Sequence, residues 1–248
     1  MTDIKERLQD SGGIEWPHGA FCPVCDKLKL DVPGMAEIFE QRGVDLETPN
    51  VSCECAKLLV KRAEWANLPA GFEERTFANF VQREGTGEAY RAAASFADWK
   101  SPCMLTLVGG TGTGKTYLLQ AIANALMERG TSVRYEYAPE LASKLHLALD
   151  DQSQSVETIL EVYRRVPVLL LDDLGAEKTS DWAMGQMAGA IDFRIRHLGW
   201  TAVTTNLTYD QMKRAAFRLA SRLWAVGDGS ARVATLTCKT DYRTGQAL

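Results

Sequence analysis

The stretch LVGGTGTGKTYLLQ, residues 107–120, constrains this chain more than any other. Within it Gly109, Gly110, Thr111, Gly112, Thr113, Gly114, Lys115 and Thr116 fit the pattern G-x-x-x-x-G-K-[ST]. An apolar run, MLTLVG, precedes the turn, and a helical pattern, TYLLQAIANALMER, follows it. That order predicts a buried strand, a glycine turn and a helix N-terminus. The glycines let successive backbone N–H groups turn inward around phosphate oxygens, and the helix adds the positive end of its dipole. Lys115 stands where it reaches the outer phosphates, and Thr116 where its hydroxyl holds Mg²⁺. The expectation is a bound nucleoside triphosphate.

Downstream, apolar runs alternate with helical patterns. SVRYEYA, VPVLLLDD and WTAVTTN read as strands; ELASKLHLALD, VETILEVYRRV and DWAMGQMAGAIDFRIRHL read as helices. Strands alternating with helices predict an α/β fold, a parallel sheet covered by helices on both faces. Residues 61–103 carry FEERTFANF and a helical GEAYRAAASFADW, and are expected to close over the nucleotide. Ligands of such sheets sit at the carboxyl ends of the strands. There VLLLDDLG ends in Asp172 and Asp173, the first placed to hold Mg²⁺, the second to orient and deprotonate an attacking water. One strand further on, Asn206 can hydrogen-bond the γ-phosphate or that water.

The C-terminal RAAFRLASRLWAV is helical in pattern and carries Arg218 and Arg222 at spacing i, i+4. Two readings stay open for these arginines: groups that reach into a neighbouring subunit's site, or a solvated surface face. Arg243, in KTDYRTG, can touch the nucleotide of its own subunit. A small-molecule kinase would instead carry an arginine-rich lid, which this pattern lacks.

The chain has 248 residues, 46% apolar and 24% charged, with material for an ample core. No run approaches the apolar length of a membrane span, and the charged start MTDIKERLQDSGG is unlike a secretory leader. A cytoplasmic protein with reduced thiols is expected, so its six cysteines call for a metal or for packing. Cys22-x-x-Cys25 and Cys53-x-Cys55 can supply four thiolates to a structural zinc ion. His18 is a possible substitute ligand; unligated thiols and a redox pair are the competing readings. Cys103 and Cys238 sit in apolar contexts that suit core packing. The net charge of −4 argues against coating nucleic acid by bulk electrostatics, although residues 211–248 are locally basic.

The phosphate loop, LLLDDLGAEK, TTN, SRL and DYR fall in the order and spacing of AAA+ ATPases of the DnaC/DnaI helicase-loader group, which includes IstB-type transposition helpers. The resemblance runs from about Arg62 to the end of the chain. It implies a P-loop NTPase of residues 61–248 preceded by a zinc-stapled, partner-binding module of residues 1–60. It identifies Lys115 and Thr116 with Walker A, Asp172 and Asp173 with Walker B and Asn206 with sensor 1. It also implies that Arg222 is an arginine finger acting in trans and Arg243 is sensor 2. Most AAA+ proteins end Walker B in Asp-Glu; the shorter Asp173 implies slow hydrolysis, suited to a switch. The implied activity is ATP-dependent loading of a hexameric replicative helicase onto single-stranded DNA, with self-association through the ATPase domain and no membrane contact. Lys178, Arg194 and Arg196 are candidate DNA contacts. The alternatives are a transposition helper and a nucleotide-gated adaptor. Four cysteines near the N-terminus favour the loader, because the IstB-like helpers generally lack such a module.

Overall fold

The computed structural model describes residues 66–248 apart from 102, 130, 151–154, 176–179, 227, 228, 230, 247 and 248. The described residues open with a 3-10 turn (Phe72–Glu74) and helix α1 (Gly87–Ala97). It then alternates: β1 (Met104–Gly109), α2 (Lys115–Glu128), β2 (Val133–Tyr137), α3 (Ala138–Asp150), α4 (Val156–Arg165), β3 (Val168–Asp172), α5 (Asp181–Arg196) and β4 (Trp200–Thr205). Two short helices, α6 (Tyr209–Ala215) and α7 (Phe217–Leu223), precede β5 (Ala231–Leu236). The strand order is β2-β3-β4-β1-β5, and every pairing is parallel. This is the parallel sheet flanked by helices that the alternating pattern predicts.

A strand's side chains point to opposite faces in turn, so a strand covered on both sides must be apolar throughout. Strand β3 meets that demand. Val168 and Leu170 enter one core with Leu105 and Leu107 of β1, Phe96 of α1 and Leu118 and Ile122 of α2. Leu169 and Leu171 enter the other, with Leu141 and Leu145 of α3, Leu160 of α4, Met187 and Ile191 of α5 and Leu219 and Leu223 of α7. The helix starts are set by local chemistry. Ser155 and Ser180 each accept a hydrogen bond from the backbone N–H three residues on, and Thr208 forms a reciprocal capping box with Gln211.

Three features depart from the sequence reading. Strand β5 carries no strong alternating pattern; its burial comes from lying beside β1, with Met104↔Ala231 and Gly109↔Leu236 in register. RAAFRLASRLWAV is not one helix. Ala216 takes an extended backbone (φ −155°, ψ 84°), its N–H closing α6 on Met212 O while its own carbonyl opens α7 by accepting from Ala220 N. The bend lets Met212, Leu219 and Leu223 all bury.

Arg194 is the third. Far from meeting DNA, it is fully buried. Its Nη1 donates to the carbonyls of Tyr163, Arg164 and Val166, its Nη2 to those of Pro167 and Trp200, and its Nε to Thr201 Oγ1. The guanidinium thus gathers the last carbonyls of α4 and the entries to β3 and β4. Burial pushes it down to about 10, so it stays charged at neutral pH. Arg196 is exposed and paired with Asp192, and Lys178 lies outside the described residues. Replacing Arg194 with Met leaves several buried carbonyls without donors, so a loss of about 3 kcal/mol or more is expected in urea unfolding. Arg194→Lys, which reaches fewer carbonyls, should fall between; an unchanged midpoint for Arg194→Met would refute this role.

Candidate functional site

The glycine turn joins β1 to α2, so strand and helix together aim it at the carboxyl edge of the sheet. Gly112 and Gly114 both adopt positive φ, 78° and 99°, conformations a side chain resists. Gly109 is needed for another reason: a Cβ there would lie 2.7 Å from the carbonyl oxygen of Leu236 on the neighbouring β5. At Gly110 a Cβ would meet nothing within 4 Å.

The turn floors a cleft of about 430 Å³. Lys115, Thr116, Asp172, Asp173, Asn206 and Arg243, spread over most of the chain, all line it, as do Thr111, Gly112 and Gly114 of the turn. Part of the segment expected to close over the nucleotide also reaches it, as Pro69, Ala70 and Arg75. That segment is tied down by α2: Asn124 Nδ2 donates to the carbonyls of Phe72 and Arg75, and Tyr117 OH to that of Glu74.

Inside the cleft Lys115 Nζ donates to Gly110 O and to Asn206 Oδ1, both at 2.7 Å. Burial pushes its ammonium below the ordinary lysine range; Asp173 and Asp172 pull it back up, and Arg243 opposes them. Thr116 Oγ1 lies 3.1 Å from Asp172 Oδ1. A hydroxyl and a carboxylate side by side at the turn's end are hard oxygen donors of the kind Mg²⁺ takes, so these residues fit that ion. Asp172 is buried, and its other oxygen accepts from Tyr135 OH at 2.6 Å. Burial and then that carboxylate raise the Tyr135 phenol far above its usual range, which keeps it a donor. Asp173 has positive φ, 57°, and accepts from Asn206 Nδ2 at 2.9 Å and from Tyr137 OH at 3.4 Å.

Arg243 stands at the mouth, carried there by its neighbour Tyr242, whose N–H bonds Gly112 O at 2.6 Å and whose ring stacks on Phe80. Arg222 is elsewhere. It does not line the cleft of its own chain; half-exposed on α7, its Nε donates to Asp192 Oδ1 at 2.8 Å. Sequence reasoning missed Tyr135, Tyr137 and Tyr242, since an aromatic in a strand or tail reads as core until its hydroxyl or backbone partner is known. Cys22, Cys25, Cys53 and Cys55 lie outside the described residues; among those described, no group of three or more His, Cys, Asp or Glu is placed to hold a metal ion. Cys238 is buried and Cys103 half-buried, as packing thiols are. No helix among the described residues is long and apolar enough to cross a membrane.

The family model described as IstB-like ATP binding protein matches residues 68–220, more than half of the chain. The replicative helicase loader DnaI of Bacillus subtilis is 36% identical over 110 residues, which are 44% of this chain and only 35% of that loader. A crystal structure of DnaI aligns over 71% of this chain and 95% of that one, with a TM-score of 0.56 at 28% identity. The DnaC helicase loader aligns over 68% of this chain and all of that one at a TM-score of 0.57; at 22% identity this likeness is one of fold. The fold is the AAA+ P-loop arrangement.

The two glycines make opposite predictions. Gly109→Ala forces β1 and β5 apart and should cost roughly 1–3 kcal/mol, as overpacking does, whereas Gly110→Ala should melt near the wild-type temperature. Thermal unfolding monitored by circular dichroism checks both, and equal melting temperatures for the two variants would contradict the contact at Leu236.

Proposed function

Because the chain belongs to the family of IstB-like ATP binding proteins, we propose that it is an ATP-hydrolysing switch that loads a replicative DNA helicase onto single-stranded DNA. The observation that carries the ATPase reading is the convergence of Lys115, Thr116, Asp172, Asp173, Asn206 and Arg243 on one cleft. The likeness to the loader DnaI supports the choice of client.

On this reading the backbone N–H groups of residues 110–115 and the start of α2 bind the phosphates, and Lys115 moves from Asn206 to the outer phosphate oxygens. Thr116 and Asp172 would hold Mg²⁺, which when bound supplies positive charge to neutralise the phosphates. Asp173, oriented by Asn206, holds the attacking water and takes its proton. Arg243 reports on the nucleotide of its own subunit. Arg222, away from its own cleft, serves the site of a neighbouring subunit in an assembly. Residues 1–60, with zinc held by Cys22, Cys25, Cys53 and Cys55, grip the hexameric helicase, and the assembled ATPase domains engage single-stranded DNA until hydrolysis releases them. A cytoplasmic location follows from that client. A second reading, a transposase as client, is favoured by the family match itself, whose description names the IstB-like proteins.

Two experiments test these roles. Arg222→Ala should lower ATP turnover by roughly 10³-fold, the usual worth of an arginine finger, and mixing it with Asp173→Ala subunits should restore part of that activity, since each supplies what the other lacks. Failure of the mixture to recover would remove Arg222 from a trans role. In a pull-down with ATP, the host replicative helicase should be retained by the wild type and lost on Cys53→Ser/Cys55→Ser; retention of a transposase instead would establish the second reading.

A further inference from the structure

Asp172 and Asp173 are consecutive, and consecutive residues of a strand point to opposite faces. Yet both line the same cleft. The backbone solves this by leaving β3 with Asp173 at φ 57°, a left-handed conformation that non-glycine residues seldom take and that persists only where its surroundings impose it. What imposes it is the end of β4. Thr204 is fully buried; its Oγ1 accepts from the N–H of Asp173 at 2.8 Å and donates to Asp172 Oδ1 at 2.5 Å. The direction of both bonds is settled by inventory, because a hydroxyl has one proton and the Asp173 N–H can only donate. The next turn of the same segment is held as well: Leu174 N donates to Thr204 O at 2.8 Å, and Thr205 Oγ1 donates to Leu174 O at 2.7 Å.

We infer that Thr204 is a positioning residue of the ATPase site: its one hydroxyl fixes the rotation of the metal-binding Asp172 carboxylate and the left-handed backbone that turns Asp173 into the same cleft. Asn206, two residues on, then meets Asp173 from the side, so one strand end sets the backbone, the carboxylate and the water-facing oxygen together. The inference rests on the ATPase reading above. It gives the TTN sequence a division of labour in which Thr204 shapes the acids and Asn206 addresses the water.

Valine matches threonine in shape and lacks the hydroxyl, so Thr204→Val keeps the β-branched packing of β4 and removes both bonds. Outer partners of metal ligands are typically worth ~10–100-fold in activity or metal affinity. Thr204→Val should therefore lower kcat by that factor and raise the Mg²⁺ concentration giving half-maximal rate. Binding of ATP in the absence of Mg²⁺ should change by less than ~3-fold, because the glycine turn and Lys115 are untouched. Thr204→Ser, which restores the hydroxyl, should recover most of both losses; if the valine chain fails to fold, Thr204→Ala carries the same comparison with serine. Wild-type kcat and Mg²⁺ requirement in Thr204→Val, or a serine variant as impaired as valine, would overturn the inference. The wild type and Asp173→Asn separate the two levels: if the wild type turns over no ATP, or Asp173→Asn turns it over at the same rate, the ATPase site as read above falls, whereas if Asp173→Asn is silent and Thr204→Val keeps the wild-type kcat and Mg²⁺ requirement, only the role of Thr204 falls.

Discussion

Burying a carboxylate is costly unless its lone pairs are met, and Asp172 at the end of β3 is buried. Its two oxygens draw donors from three other elements: Tyr135 on β2, Thr204 on β4 and Thr116 on α2. Much of the site's architecture follows from that requirement. The strand on either side of β3 must carry a hydroxyl, and the helix behind the glycine turn must bring a third. Those same contacts leave Asp172 next to a threonine hydroxyl at the mouth of a phosphate-binding turn.

The sheet makes such convergence possible because all its strands are parallel. Their carboxyl ends, and the turns that follow them, share one edge, so residues distant in sequence meet there. The opposite edge has its own polar problem, which Arg194 meets by donating to carbonyls at the end of α4 and at the entries to β3 and β4. A buried charge does structural duty at one edge, while the charged groups at the other edge line the cleft. Confusing the two is easy from sequence, since arginine near a helix C-terminus usually faces water.

The likeness to helicase loaders bears on the P-loop unit and leaves much of the loader's length unmatched. Within that unit the arginines divide by position. Arg243 is drawn to its own cleft by the Tyr242 backbone bond to the glycine turn, and Arg222, on α7 and paired with Asp192, does not line it. The assembly proposed above, in which each site is completed by a neighbour, calls for that division.

The glycine turn, the strands β1, β3 and β4, and the acids and asparagine at their ends were legible in the sequence because each follows from local rules: positive φ favours glycine, and two-sided burial favours runs of apolar and β-branched residues. What was not legible depended on partners brought from afar. β5 is a strand because β1 offers it an edge, and the break at Ala216 exists because Met212 and Leu223 must both reach the core. Gly109 is required by a carbonyl on β5 rather than by its own φ. Tyr135 and Thr204 are ordinary strand residues until β2 and β4 bring their hydroxyls to Asp172. The sequence by itself determined the chemistry available and the order in which it appears. Tertiary structure alone decided which polar groups face one another, because hydrogen bonds between strand ends depend on register and strand order, which no local pattern encodes.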